Sequence, residues 1–469
     1  MERRNFLEKF GMGAAALGTV ALAAKGVEAC TTPTPDRNSF TAGDFNAYGD
    51  GTHDDTAAIQ CAIDAAHAMG GGTIYMVGSS GGRNFKCEGH LSFDDKMGVR
   101  LCGDMGRLGA ITSRIFYAPT VSTPSPSTHF ISFASSHSIT LEALKIEYTS
   151  SVLTGPMMKT SHSAGAGQDP TMLVFERCYF AGDGVSTASS LLSLDTCISS
   201  TVRSCWFAGA DVGIKGRTSS YSNAIQVHDT AFSSLDVAAI VNPGESWLIS
   251  GCTFEGLVSR VAGAITQTNG LNAWGLNICG CWFGDADSGA GTWIDLTDGG
   301  VVGLSVTGNR MGEAGATGTC IKVGGQGISI SGNRMDGPNC IAFATGGYSF
   351  GIAVTGNDFQ GFGTALANRA NCLEYLIAGN TNVQNYMSTF SNVIDCTFDG
   401  LSSFLAFAYF YGGGSFYNDV AFNGSTSRGS LTLVPRGSAP SSPQNGDLWT
   451  DSSGMYVKIN GTIKTVTLT

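Results

Sequence analysis

VTGNRM (306–311), ISGNRM (330–335) and VTGNDF (354–359) repeat one phrase: an aliphatic residue, Thr or Ser, Gly-Asn, one variable residue, then Met or Phe. Working outward, the phrase recurs upstream with Cys or Thr in place of Asn, as ICGCWF (278–283), ISGCTF (249–254), VHDTAF (227–232), VRSCWF (202–207) and FERCYF (175–180), and downstream as IAGNTN (377–382). Taking the Cys/Thr/Asn position as a marker, the steps are 27, 25, 22, 29, 28, 24, 24 and 23 residues. LEALKI (141–146) is a weaker copy, and VIDCTF (393–398), only 16 residues after its predecessor, reads as the end of the stack. A fixed short strand with variable steps is what loop insertion into stacked coils produces, so the period predicts a parallel β-helix.

Side chains alternate along a strand, so the marker and the Phe or Met two residues on face the same way, into the core. The inward ladder is then Cys178, Cys205, Thr230, Cys252, Cys281, Asn309, Asn333, Asn357 and Asn380. A buried amide is costly unless paired, and identical amides about 4.8 Å apart can pair up and down the stack. These residues read as structural, and most of the 14 cysteines as free thiols on that ladder. No CxxC or HExxH spacing occurs, so no metal site is expected.

With 469 residues, 65 Gly and only 13% charged residues, the chain can bury one long core. A net charge of −11 without a basic cluster argues against nucleic acid as partner. Residues 1–29 open Glu2-Arg3-Arg4-Asn5-Phe6-Leu7 before an apolar run from Gly11 to Ala24 and resemble a twin-arginine export signal. That run is shorter than the roughly 20 residues of a membrane span. The competing reading is an uncleaved N-terminal anchor. Residues 30–42 read as a linker.

FNAYGDGTHDDTAAIQ (45–60), continuing into CAIDAA (61–66) and GGGTIYM (70–76), resembles the opening of the pectate-lyase-like superfamily, which includes many phage tailspikes. In that resemblance Asp54, Asp55 and Thr56 cap a helix whose face Ala58, Ile59, Ala62, Ile63 and Ala66 plugs the open end of the stack. Asp50, Asp54 and Asp55 are then structural. The family's usual Pro-x-Gly-x-Tyr after the first strand is replaced by Met76-Val77-Gly78-Ser79. The expected fold is all-β: a right-handed parallel β-helix solenoid with an N-terminal capping helix and a small C-terminal β-module. The cap and first coils occupy 43–110, the helix 111–400 with an excursion at 119–137, and aromatic-rich closing strands 401–428. Residues 429–469 resemble the C-terminal β-modules of phage tail fibre and spike proteins, with a hairpin turning at Asn460-Gly461.

The residue after each marker must face outward, giving a column that includes Tyr179, Trp206, Trp282, Arg310 and Arg334. Aromatic faces hold sugar rings and Arg forks hold carboxylates or hydroxyls, so these five are the expected substrate-binding residues. The turns that follow carry acids, of which Asp211, Glu255, Asp285, Asp287 and Glu313 are the catalytic candidates; the expectation is that they gather on one edge, at glycosidase separations. Lys215 and Arg217 follow Asp211 and could assist proton abstraction. No cofactor is expected; calcium is the one ion the acidic edge could take, though no calcium-loop signature is present.

The favoured reading is a phage or prophage tailspike-like protein, in the virion tail or outside the cell, that binds and depolymerises a bacterial surface polysaccharide. The resemblance implies a homotrimer attached to a virion through the N-terminus. Two alternatives stand beside it: a polysaccharide lyase or glycoside hydrolase exported by the twin-arginine route, and a non-catalytic adhesin or structural virion protein.

Overall fold

The computed structural model describes residues 38–106, 110–119, 129–148, 155–161, 169–182, 190–218, 222–257, 263–268, 270–284, 291–312, 318–346, 349–360, 364–368, 372–381, 448–451 and 454–466. Most of these form one continuous sheet of parallel strands that winds as a right-handed β-helix. The coils stack in the register the repeat demands. Phe175, Val202, Val227, Ile249, Ile278, Val306, Ile330, Val354 and Ile377 pair in sequence, as do Phe180, Phe207, Phe232, Phe254, Phe283, Met311 and Met335. Successive Phe rings stack at 4.6–5.2 Å from Phe180 to Phe283, close to the strand spacing. LEALKI is a full member of the stack: Lys145 and Ile146 pair with Tyr179 and Phe180, and Leu144 takes the marker position.

The residue before each marker has positive φ, from Ala143, Arg177, Ser204 and Asp229 through Gly251, Gly280, Gly308, Gly332, Gly356 and Gly379. This left-handed residue turns the chain through a corner of each coil, and Gly adopts it without strain. A second left-handed position at Gly209, Ser234 and Gly256 turns it again four residues after the marker.

The expected ladders are present. Asn309 Nδ2 donates to Asn333 Oδ1 at 2.9 Å, Asn333 to Asn357 at 3.0 Å and Asn357 to Asn380 at 2.9 Å, and each acceptor oxygen also takes the backbone N–H of the Asn one coil back. Among the described residues eleven cysteines are free thiols, those of the marker column included, and Cys61 is disulfide-bonded.

The helix Thr56–Ala68 buries Ile59, Ala62, Ile63 and Ala66, with Ala58 packed partly against the core. Its capping differs from expectation. Asp54 accepts from Thr56 N and Oγ1, while Asp55 turns away and accepts the N–H groups of Tyr48 at 2.6 Å and Gly49 at 3.1 Å, locking the preceding loop. The excursion expected at 119–137 is also shorter, because Ile131–Ala134 is a solenoid strand paired with Met158–Ser161. VIDCTF and the aromatic segment 402–422 lie outside the described residues. Toward the C-terminus Leu448–Asp451, Gly454–Ile459 and Thr462–Thr465 make a separate antiparallel sheet turning at Asn460 (φ 48°) and Gly461 (φ 75°).

Candidate functional site

The outward column is continuous by register: Asp50, Asn84, Arg114, Lys145, Tyr179, Trp206, Ala231, Thr253, Trp282, Arg310, Arg334, Asp358 and Thr381. It places all five expected binding residues in one line and extends that line toward the cap by Lys145 and Arg114, which the weaker upstream copies concealed.

Two indole rings dominate it. Trp206 is 50% exposed and Trp282 40%. Trp206 is pinned, its Nε1–H donating to Ser233 Oγ on the next coil at 2.7 Å. Trp282 lies across Gly284, where an added Cβ would meet the indole carbons at 3.1 Å. Between them only Ala231 and Thr253 stand on the column, so the rings are about 14 Å apart along the stack and the strip between them is lined by short side chains. Toward the cap, Tyr179 meets Trp206 at 5.2 Å, with the Lys145 ammonium 5.4 Å from the Tyr179 ring centre. Lys145 and Arg114 share the carboxylate of Glu147. In the other direction Arg310 and Arg334 stack in register, both exposed, and neither makes an ion pair among the described residues. Two like charges on adjacent strands disfavour each other unless an anion lies between them.

Of the five acids, the two that lie within the described residues, Glu255 and Asp211, stand on different faces. Glu255 stands on the same narrow face as the tryptophans, paired with Ser233, and is exposed. Asp211 follows the corner at Gly209 and so belongs to the next face. Register explains its surroundings: Ala210 pairs with Leu235 but Val212 with Ala238, so Asp236 and Val237 together oppose Asp211 in a β-bulge. Partial burial, followed by the charge of Asp236, raises the Asp211 carboxyl above the usual carboxylate range. Asp236 was not legible as a partner from sequence, because only the bulge brings it opposite. Lys215 ends the same strand, and the backbone N–H of Arg217 is spent on Asn242 O. Asp285, Asp287 and Glu313 lie outside the described residues. Among the described residues no group of three or more metal-ligating side chains occurs, and Asp50, Asp54 and Asp55 are engaged in local turn and loop contacts.

Residues 39–259 match the family model described as rhamnogalacturonase A/epimerase, pectate lyase-like. Among curated proteins, mannuronan C5-epimerase AlgE3 of Azotobacter vinelandii is 70% identical over 37 residues, 8% of this chain and 2% of that protein. The chain therefore spans a very small part of that relative's length. Among solved structures, the Agl-KA catalytic domain superposes with a TM-score of 0.52 at 13% identity, over 73% of this chain and 65% of that one. A mutant tailspike protein of E. coli bacteriophage HK620 gives 0.49 at 12% identity, over 73% and 66%. Residues 39–259 are thus similar to a pectate-lyase-like family model, and the fold is a right-handed parallel β-helix.

Proposed function

We propose that the chain binds a bacterial surface polysaccharide lengthwise along the Tyr179 to Arg334 column and depolymerises it, as a tailspike-like protein. The observation that carries this is the pair of outward-facing indoles with a strip of small residues between them and two exposed guanidiniums beyond. An apolar ring face, a shallow floor and Arg forks together suit a glycan bearing carboxylates or other anionic substituents.

Cleavage is assigned to Asp211 and Asp236. Two carboxylates on adjacent strands lie about 5 Å apart, the separation of retaining glycosidases, and the one whose pKa is raised is the natural general acid. In this assignment Asp211 protonates the leaving oxygen and Asp236 attacks the anomeric carbon. Trp206 and Asp211 share one strand, so a glycan stacked on Trp206 reaches the acid pair by turning a single corner. Glu255, on the binding face itself, contacts sugar hydroxyls.

The test is release of reducing ends from purified capsular and O-chain polysaccharides. Wild type should release them, Asp211→Asn and Asp236→Asn should each lose 10²-fold or more, and Glu255→Gln should lose far less. Loss confined to Glu255→Gln would move the chemistry to the binding face. Binding without release by the wild type would make the protein an adhesin.

A further inference from the structure

On the other side of the corner formed by Asp229, Gly251 and Gly280, a second outward column carries Arg203, His228, Ser250 and Cys279 on consecutive coils. His228 Nδ1 lies 2.5 Å from Ser250 Oγ, and Nε2 lies 3.1 Å from Gln226 Oε1. One neutral tautomer satisfies both contacts: the Ser250 hydroxyl donates to Nδ1, and Nε2–H donates to the Gln226 carbonyl. A nucleophile bonded to a base, whose orientation a third group fixes, is the arrangement that activates serine for acyl transfer. Asn277 stands on the following coil, diagonal to Ser250 and exposed, with one amide N–H directed to Gly275 O and the other left for a ligand.

We propose that Ser250 is an acyl-accepting nucleophile with His228 as its base and Gln226 as positioning residue, acting on small carboxylic esters such as O-acetyl groups; that the ester is carried by a glycan rests on the function proposed above. Ser250 Oγ attacks the ester carbonyl carbon and its proton passes to Nδ1. The carbon–oxygen bond to the alcohol then breaks, and the departing oxygen takes that proton, leaving acyl-Ser250. Water, deprotonated by the same nitrogen, attacks the acyl carbon and releases the carboxylic acid and free serine. Asn277 donates to the carbonyl oxygen as it becomes negative. A neutral amide offsets imidazolium charge less than a carboxylate does, and the strand face is open, so turnover is slow.

The experiment is hydrolysis of 4-nitrophenyl acetate by the full chain, with peptide mass spectrometry after diisopropyl fluorophosphate. The expected results are an adduct on Ser250, an approximately 10²-fold loss of hydrolysis in Ser250→Ala and His228→Ala, loss in Gln226→Leu, and retention in Gln226→Glu. 4-Nitrophenyl acetate carries no glycan, so its hydrolysis separates failure of glycan binding from failure of the serine. No adduct on Ser250, or an unchanged rate in Ser250→Ala with an unchanged melting temperature, would overturn the proposal.

Discussion

Asn333 shows how much one side chain carries in this molecule. It is 1% exposed, its oxygen accepts the backbone and side-chain N–H groups of Asn309, and its two amide hydrogens go to Asn357 Oδ1 and Val306 O. Truncation to Ala leaves at least two buried donors without an acceptor, at about 1–3 kcal/mol each. Asn333→Ala should therefore cost about 3 kcal/mol or more by chemical denaturation, and a loss below about 1 kcal/mol would contradict a cooperative ladder. Gly332, its neighbour at φ 63°, has only Gly308 N at 3.9 Å where a Cβ would go. Gly332→Ala should cost no more than the left-handed backbone penalty, about 1–2 kcal/mol, as the non-glycine residues at the same corner in earlier coils imply. The ladder was legible because Asn recurs at one place in the phrase. Leu144 was harder to read as a marker, since neither Cys nor Asn stands there to announce it.

Strand and loop elements decide the pH behaviour. Partial burial, with the charge of Asp236 that the β-bulge sets opposite, raises the folded-state pKa of Asp211 above its unfolded value, so its ionised form works against folding. That penalty is present at neutral pH and relieved as pH falls through the raised folded value. Asp211→Asn should accordingly raise the melting temperature at pH 7, with the gain vanishing in acid, even as it abolishes cleavage. A melting temperature lowered at pH 7 would show that the carboxylate is a structural partner. His129 behaves in the opposite sense. Burial, with the positive charges of His90 and Lys159, lowers it to about 4, and its ring meets His90 edge-on at 4.8 Å. Its contribution is complete above the unfolded pKa near 6.5 and is lost as pH falls toward 4. His129→Gln should flatten the acid limb of the stability curve over that window. Neither element was visible in the sequence: a register slip and two histidines on neighbouring coils leave no periodic trace, whereas the outward column inherits the period of the repeat.

At the scale of the whole molecule, the solenoid converts a one-dimensional repeat into straight columns about 4.8 Å per step, and function is set by which residues fall on which column. Trp282 and Trp274 share a coil and are comparably exposed, yet the corners at Gly275 and Gly280 send them to different faces. Only Trp282 joins Trp206, Arg310 and Arg334. Two of the acids anticipated on one edge, Asp211 and Glu255, stand on different faces for the same reason, the corner at Gly209 lying between those faces. Trp274 therefore serves as an internal control for binding along the column. The most direct test is calorimetric titration of purified bacterial capsular and O-chain polysaccharide fragments against the wild type, Trp206→Ala, Trp282→Ala and Trp274→Ala. Loss of one stacking face is worth about 1.4 kcal/mol, or tenfold in affinity. The expected result is at least a tenfold weakening in Trp206→Ala and in Trp282→Ala with Trp274→Ala unchanged; equal affinity in all four proteins, or weakening only in Trp274→Ala, would contradict glycan binding along this face.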